Sequence, residues 1–157
     1  MIVEIDGNDG VGKTTCINIL KQHFGDDIEF KDRGALTLAT DSDEFNKEKG
    51  VCYILLDCSV EECQNRILKR GDSITEKYHT IEDLTYYRER FLKIASENYI
   101  AVFNATLKLP INEIINYIKG FKDGLLPTLV NFVGTFLVFI IAFYYFIWYI
   151  IYVILEL

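Results

Sequence analysis

Apolar positions along the first 124 residues fall into short blocks whose period alternates between that of a strand and that of a helix. Ile2-Val3-Glu4-Ile5 is a β-rich run that ends at Asp6-Gly7, a turn signal. From Lys13 the apolar residues Cys16, Ile17, Ile19, Leu20 and Phe24 recur at helical spacing, and Gly25 stands where a C-cap belongs. Ile28-Glu29-Phe30 predicts a second strand that runs into Asp32-Arg33-Gly34, whereas residues 40–50 are polar and read as a loop or short helix. Residues 51–56 are almost continuously apolar, the pattern of a strand covered on both faces, and Asp57 closes it. Ser59-Val60-Glu61-Glu62 fits a capping box that opens a helix ending near Gly71. After a polar stretch over 71–79, Thr80-Ile81-Glu82-Asp83 opens another helix reaching about Asn98. Residues 99–103 predict a last strand, and Pro110 suits the first position of a helix ending at Gly120.

Strands that alternate with helices imply βαβ units, hence an α/β fold of three layers with a parallel sheet flanked by helices. This predicts one domain over residues 1–122.

The pattern then changes completely. Residues 125–155 contain no charged side chain, which is long enough to cross a bilayer and predicts a C-terminal transmembrane-type helix. Tyr144, Tyr145, Trp148, Tyr149 and Tyr152 gather at its far end, as in an aromatic interface belt, while Lys119 and Lys122 flank the near end. The basic flank would leave the N-terminal domain on the cytosolic side of a single-pass anchor, with membrane lipid as the partner of residues 125–155. A buried core helix and an unselected extension are the competing readings of the tail.

The chain carries 16 Lys and Arg against 23 Asp and Glu, for a net charge of −7. That balance argues against nucleic acid as a partner, because backbone binding needs clustered cations. The four cysteines, Cys16, Cys52, Cys58 and Cys63, show neither C-x-x-C nor Cys/His metal spacing and are expected to be reduced thiols. His23 and His79 are isolated and enter no site.

Gly7-Asn8-Asp9-Gly10-Val11-Gly12-Lys13-Thr14 matches G-x-x-x-x-G-K-[ST] at every fixed position and lies between a predicted strand and a predicted helix. Glycines let successive N–H groups turn inward around a phosphate at the positive end of the helix. Lys13 would reach the β- and γ-oxygens, and the Thr14 hydroxyl would hold Mg²⁺. The motif therefore predicts ATP and Mg²⁺ as cofactors, bound by Gly7, Asn8, Asp9, Gly10, Val11, Gly12, Lys13, Thr14 and Thr15. Arg66 and Arg70 lie four apart and share one helix face, suited either to a transferring phosphoryl group or to a solvated basic surface.

The loop with its doubled threonine resembles that of thymidylate kinases and related nucleoside or nucleotide kinases. Asp32-Arg33, with Thr37 and Ala39 after it, is similar to the family's D-R-x-x-x-[ST] segment. Residues 53–57 followed by 66–71 are similar to its strand, helix and R-x-x-x-R lid entrance, and 87–92 and 102–105 to its later helix and last strand. The resemblance implies that Lys13, Asp32, Arg33, Arg66 and Arg70 are catalytic. In the family the Arg of the D-R segment contacts the acceptor's phosphate, and its Asp lies near the metal. One departure stands out: a helix and strand of the family's acceptor pocket are missing here, leaving only residues 25–31 between the first helix and Asp32.

The expectation is phosphoryl transfer from ATP to a nucleoside monophosphate such as dTMP, at a membrane, with a homodimer left open. The alternative is a non-catalytic or regulatory nucleotide-binding protein that has lost its acceptor pocket.

Overall fold

The computed structural model describes residues 1–42, 44–73 and 78–124. The chain divides into two compact units, Met1–Ile118 and Lys119–Leu157. The first is built from β1 (Ile2–Asp6), α1 (Lys13–Phe24), β2 (Glu29–Asp32), α2 (Ala35–Ser42), β3 (Val51–Asp57), α3 (Val60–Arg70), α4 (Ile81–Glu97), β4 (Ala101–Asn104) and the start of α5 (Ile111–Lys122).

All four strands are parallel, in the order β2-β1-β3-β4. The chain leaves β1 for β2 on one side and returns to β3 on the other, so the carboxyl ends of β1 and β3 flank a switch point, where ligands of open α/β sheets bind. Side chains alternate across β3. Val51, Tyr53 and Leu55 join Leu36 and Ala39 of α2 and Phe91, Ile94 and Ala95 of α4 in one buried cluster. Cys52, Ile54 and Leu56 are buried on the opposite face. The near-continuous apolar run of β3 is what a two-faced strand requires.

Several expected boundaries shift. Gly25 caps α1 as read, but β2 runs from Glu29 to Asp32, and β4 begins at Ala101 because Tyr99 takes a left-handed turn at φ 53°. Helix α5 continues past Gly120 to Lys122. Ser59 does cap α3, accepting from the Glu62 N–H at 3.3 Å. The reciprocal half of the box is replaced: the Ser59 N–H goes to the Thr106 hydroxyl at 3.0 Å, and Glu62 is taken by Arg66 at 2.8 Å.

Helix α2 is the main element that periodicity did not indicate. Its N-terminus is capped from another strand. The Ala35 N–H donates to the Glu4 carboxylate at 2.8 Å, and the N–H groups of Gly34 and Thr37 donate to Asp6 at 2.9 and 3.2 Å. Residues 4 and 6 point to the same face of β1, so two carboxylates serve one helix end, where the helix dipole favours negative charge. A Cβ on Gly34 would lie 2.2 Å from a Glu4 oxygen.

Among the described residues no helix is long and apolar enough to cross a membrane. Residues 125–155, on which the membrane-span expectation rests, lie outside the described residues.

Candidate functional site

The loop between β1 and α1 is held by its glycines in backbone conformations that other residues avoid. Gly10 adopts φ 79°, and a Cβ there would come within 2.4 Å of the Cys63 carbonyl on α3. The loop can lie this close to α3 only without a side chain at that position. Helix α1 then starts at Lys13, with Gly12 at the cap position, no acidic residue in its first turn and no side-chain cap among the described residues. Its first N–H groups and positive dipole end are thus left for an anion.

Lys13 is buried, and its ammonium donates to the carbonyls of Gly7 at 2.8 Å and Asn8 at 2.9 Å. Burial, above all, lowers its pKa, partly offset by the Asp9 carboxylate 3.8 Å away. A phosphate beside it would favour the charged form.

Asp9 draws basic side chains from three parts of the chain. Arg33, directly after β2, donates to its Oδ1 at 2.8 Å, and His79, just before α4, brings Nε2 to 3.6 Å from its Oδ2. Arg33 has φ 58°, a left-handed conformation costing about 1 kcal/mol or more for a non-glycine residue, which is a recurrent property of functional sites.

Two cavities meet at this group. The larger, of about 430 Å³, is lined by the loop with Thr14 and Thr15, by Asp32, and by Arg66 and Arg70. The smaller, of about 140 Å³, is lined by Thr37, Thr40 and Asp41 of α2, by Tyr87 and Phe91 of α4, and by Tyr78. Asp9, Lys13 and Arg33 line both.

The predicted arginines take different places. Arg70 is half exposed at the larger cavity and pairs with Asp72 at 2.7 Å. Arg66 is engaged on every side, with Nε on Glu62, Nη1 on the Val11 carbonyl at 3.1 Å, and Nη2 on the Ala105 and Thr106 carbonyls at 2.8 Å each. Arg88 is bidentate on Asp57 at 2.7 and 2.9 Å and ties α4 to the end of β3.

Asp6 is the buried polar group that sequence reading passed over. Its Oδ1 accepts from the Thr37 hydroxyl at 2.5 Å as well as from the two N–H groups, while Oδ2 has no partner among the described residues. Its pKa is raised because burial outweighs those bonds. The aromatic lining of the smaller cavity also escaped notice: Tyr87 and Phe91 look like ordinary amphipathic positions of α4. Only the packing of α2 against that helix gives them a cavity to face.

All four cysteines are free and buried, and burial pushes the thiols of Cys16 and Cys52 up to about 12. Among the described residues no three His, Cys, Asp or Glu side chains converge to hold a metal unaided. Thr14 and Asp32 at the larger cavity suit a Mg²⁺ ion that arrives with a nucleotide's phosphates.

No family model matches the chain, and no curated protein matches it in sequence. Among solved structures, deoxyadenosine kinase from M. mycoides with bound dCTP is similar at TM-score 0.55 and 14% identity, over 76% of this chain and 100% of that one. The same kinase with products dCMP and a flexible dCDP bound is similar at TM-score 0.51 and 14% identity, over 80% and 100%. The likeness is to the broader group and does not single out thymidylate kinase, as the sequence had suggested. This chain has the fold of a P-loop nucleoside kinase.

Proposed function

We propose that this chain transfers the γ-phosphoryl group of ATP to a nucleoside or nucleoside monophosphate. The observation that carries the reading is the pair of cavities meeting at Lys13, Asp9 and Arg33, one beside the phosphate-binding loop and one walled by aromatic rings. Phosphoryl transfer needs donor and acceptor oxygens held in line and positive groups around the charge that spreads over the moving phosphoryl.

In this reading the loop N–H groups and Lys13 hold the β- and γ-phosphates, and Arg33 and Arg70 supply further positive charge. Arg66 acts by holding the loop against α3. Thr14 and Asp32 would hold Mg²⁺, whose chemistry is to neutralise phosphate charge. Asp9, which also lines the smaller cavity, stands on the acceptor side, where a carboxylate can accept a hydroxyl proton. The kinase fold shared with deoxyadenosine kinase, whose structures hold deoxynucleotides, supports a nucleoside-type acceptor.

Incubating the full chain with Mg·ATP and a panel of nucleosides and their monophosphates should give a phosphorylated product. ATP binding with no acceptor phosphorylated would overturn the enzyme reading and leave a nucleotide-binding protein.

We further propose that residues 125–155 anchor the chain in a membrane, on the strength of their uncharged, apolar sequence. The full chain should stay with membranes through alkaline carbonate washing. Its recovery as a soluble monomer would overturn the anchor.

A further inference from the structure

Cys58 and Cys63 stand on either side of the cap of α3. Ser59 is the N-cap, so Cys58 is the residue before it and Cys63 the fourth residue of the helix, two positions whose side chains pack together across a first turn. Here that pair is two buried thiols that share a hydrogen bond. The Arg66 charge and the Thr106 hydroxyl, which also accepts the Ser59 N–H at 3.0 Å, act on the Cys58 sulfur. A cavity of about 10 Å³, room for roughly one water-sized group, lies beside Cys58 and is walled by Asn8, Asp57 and Arg88.

These surroundings make the four thiols unequal. The bond from Cys63 above all, with Arg66 and Thr106, brings the Cys58 pKa down to about 7 against the effect of burial, while the same bond and burial hold the proton on Cys63. Burial keeps Cys16 and Cys52 at about 12. The thiolate is the reactive form, so Cys58 is the nucleophile and Cys63 the thiol placed to resolve it.

We propose that Cys58 and Cys63 form a reversible disulfide on reaction with hydrogen peroxide or another small hydroperoxide, and that this bond loosens the glycine-rich loop between β1 and α1. The Cys58 sulfur attacks one peroxide oxygen: an S–O bond forms, the O–O bond breaks, and the departing oxygen leaves with a proton as water or an alcohol. The Cys63 sulfur then attacks the sulfur of the Cys58 sulfenic acid. An S–S bond forms, the S–O bond breaks, and hydroxide leaves with the Cys63 proton as water. The two sulfurs together give up the electron pair that the peroxide takes, and a dithiol reductant reverses the change by exchange, becoming a disulfide itself.

The consequence for the loop comes from the backbone of Cys63. A Cβ on Gly10 would lie 2.4 Å from the Cys63 carbonyl oxygen and 3.0 Å from its Cα, so the loop rests directly on this residue. Bonded sulfurs stand about 2 Å apart, well inside hydrogen-bond distance, so closing the bond draws Cys63 toward Cys58 and shifts the surface under Gly10. Arg66, on the next turn of α3, carries the shift to the Val11 carbonyl.

The test treats the full chain with hydrogen peroxide and digests it with trypsin. The peptide of residues 50–66 should lose a pair of hydrogens, with fragment ions placing the bond between Cys58 and Cys63, and dithiothreitol should restore its mass. Cys63→Ala should instead gain one oxygen at Cys58, and Cys58→Ala should stay unmodified. In the oxidised native chain amide hydrogen exchange over residues 7–12 should quicken about tenfold, and Mg·ATP should bind about tenfold more weakly. Should an alanine variant fail to fold, the native chain's fragment ions and exchange decide by themselves. Absence of the Cys58–Cys63 bond, or a bond that leaves loop exchange unmoved, overturns the switch. Exchange that quickens in a chain that binds no Mg·ATP in either state sustains the switch and overturns the kinase reading instead.

Discussion

Arg66 of α3 donates to the carbonyl of Val11 in the glycine-rich loop between β1 and α1 at 3.1 Å, across 55 residues of sequence. The same guanidinium reaches the carbonyls of Ala105 and Thr106 after β4, so one side chain joins the loop, α3 and the far end of the sheet. Its planar fork of donors allows this, which an ammonium could not match.

Arg66→Ala should therefore cost about 1–3 kcal/mol of stability, because part-buried carbonyls lose a charged donor. Arg66→Lys should recover only a fraction. Urea unfolding monitored by circular dichroism measures both; a full recovery by lysine would show that charge alone matters.

Lys13→Met removes the ammonium at the meeting point of the two cavities. Transfer should fall by about 10²–10³ in kcat, the usual loss for one positive group at a phosphoryl transition state, while the fold stays intact. Because burial already lowers the Lys13 pKa, the folded apo protein should tolerate methionine well. Steady-state kinetics and thermal unfolding read the two halves of this prediction.

Gly34 leaves room for the Glu4 carboxylate at the start of α2. Gly34→Ala places a Cβ into that oxygen and should destabilise the protein by about 1–3 kcal/mol. Adding Glu4→Ala should relieve the clash, so the double variant is expected to be more stable than the two single losses summed. A strictly additive cycle in denaturant midpoints would show that the two residues do not interact.

Asp6 has a folded pKa above 3.8, so between that value and the raised one the folded state holds a proton that the unfolded state has released. Stability from this group is then full at the acid end and is lost as pH rises through the folded pKa. Asp6→Asn, which keeps an acceptor at Oδ1, should remove that fall. The difference in unfolding free energy between Asp6→Asn and the native chain should grow in the variant's favour from pH 4 to pH 7; a pH-independent difference would count against a raised Asp6.

The glycine-rich loop was legible in the sequence because its pattern is local. Eight consecutive residues carry the glycines, Lys13 and Thr14, and a short strand before and a helix after suffice to orient them. The apolar run of β3 and the Ser59 cap of α3 were likewise readable, since each depends on neighbours a few residues apart.

The surroundings of the smaller cavity were not readable in this way. Helix α2 is capped by Glu4 and Asp6 from β1, Tyr87 donates to Asp41 46 residues away, and Arg66, which lines the larger cavity, also reaches three distant carbonyls. By itself the sequence determined a glycine-rich loop between a strand and a helix, the alternation of strands and helices, and an apolar terminal segment. The tertiary structure decided which carboxylates and arginines brace the frame and which face the cavities, because that depends on groups brought together by the parallel crossovers, and no local spacing records it.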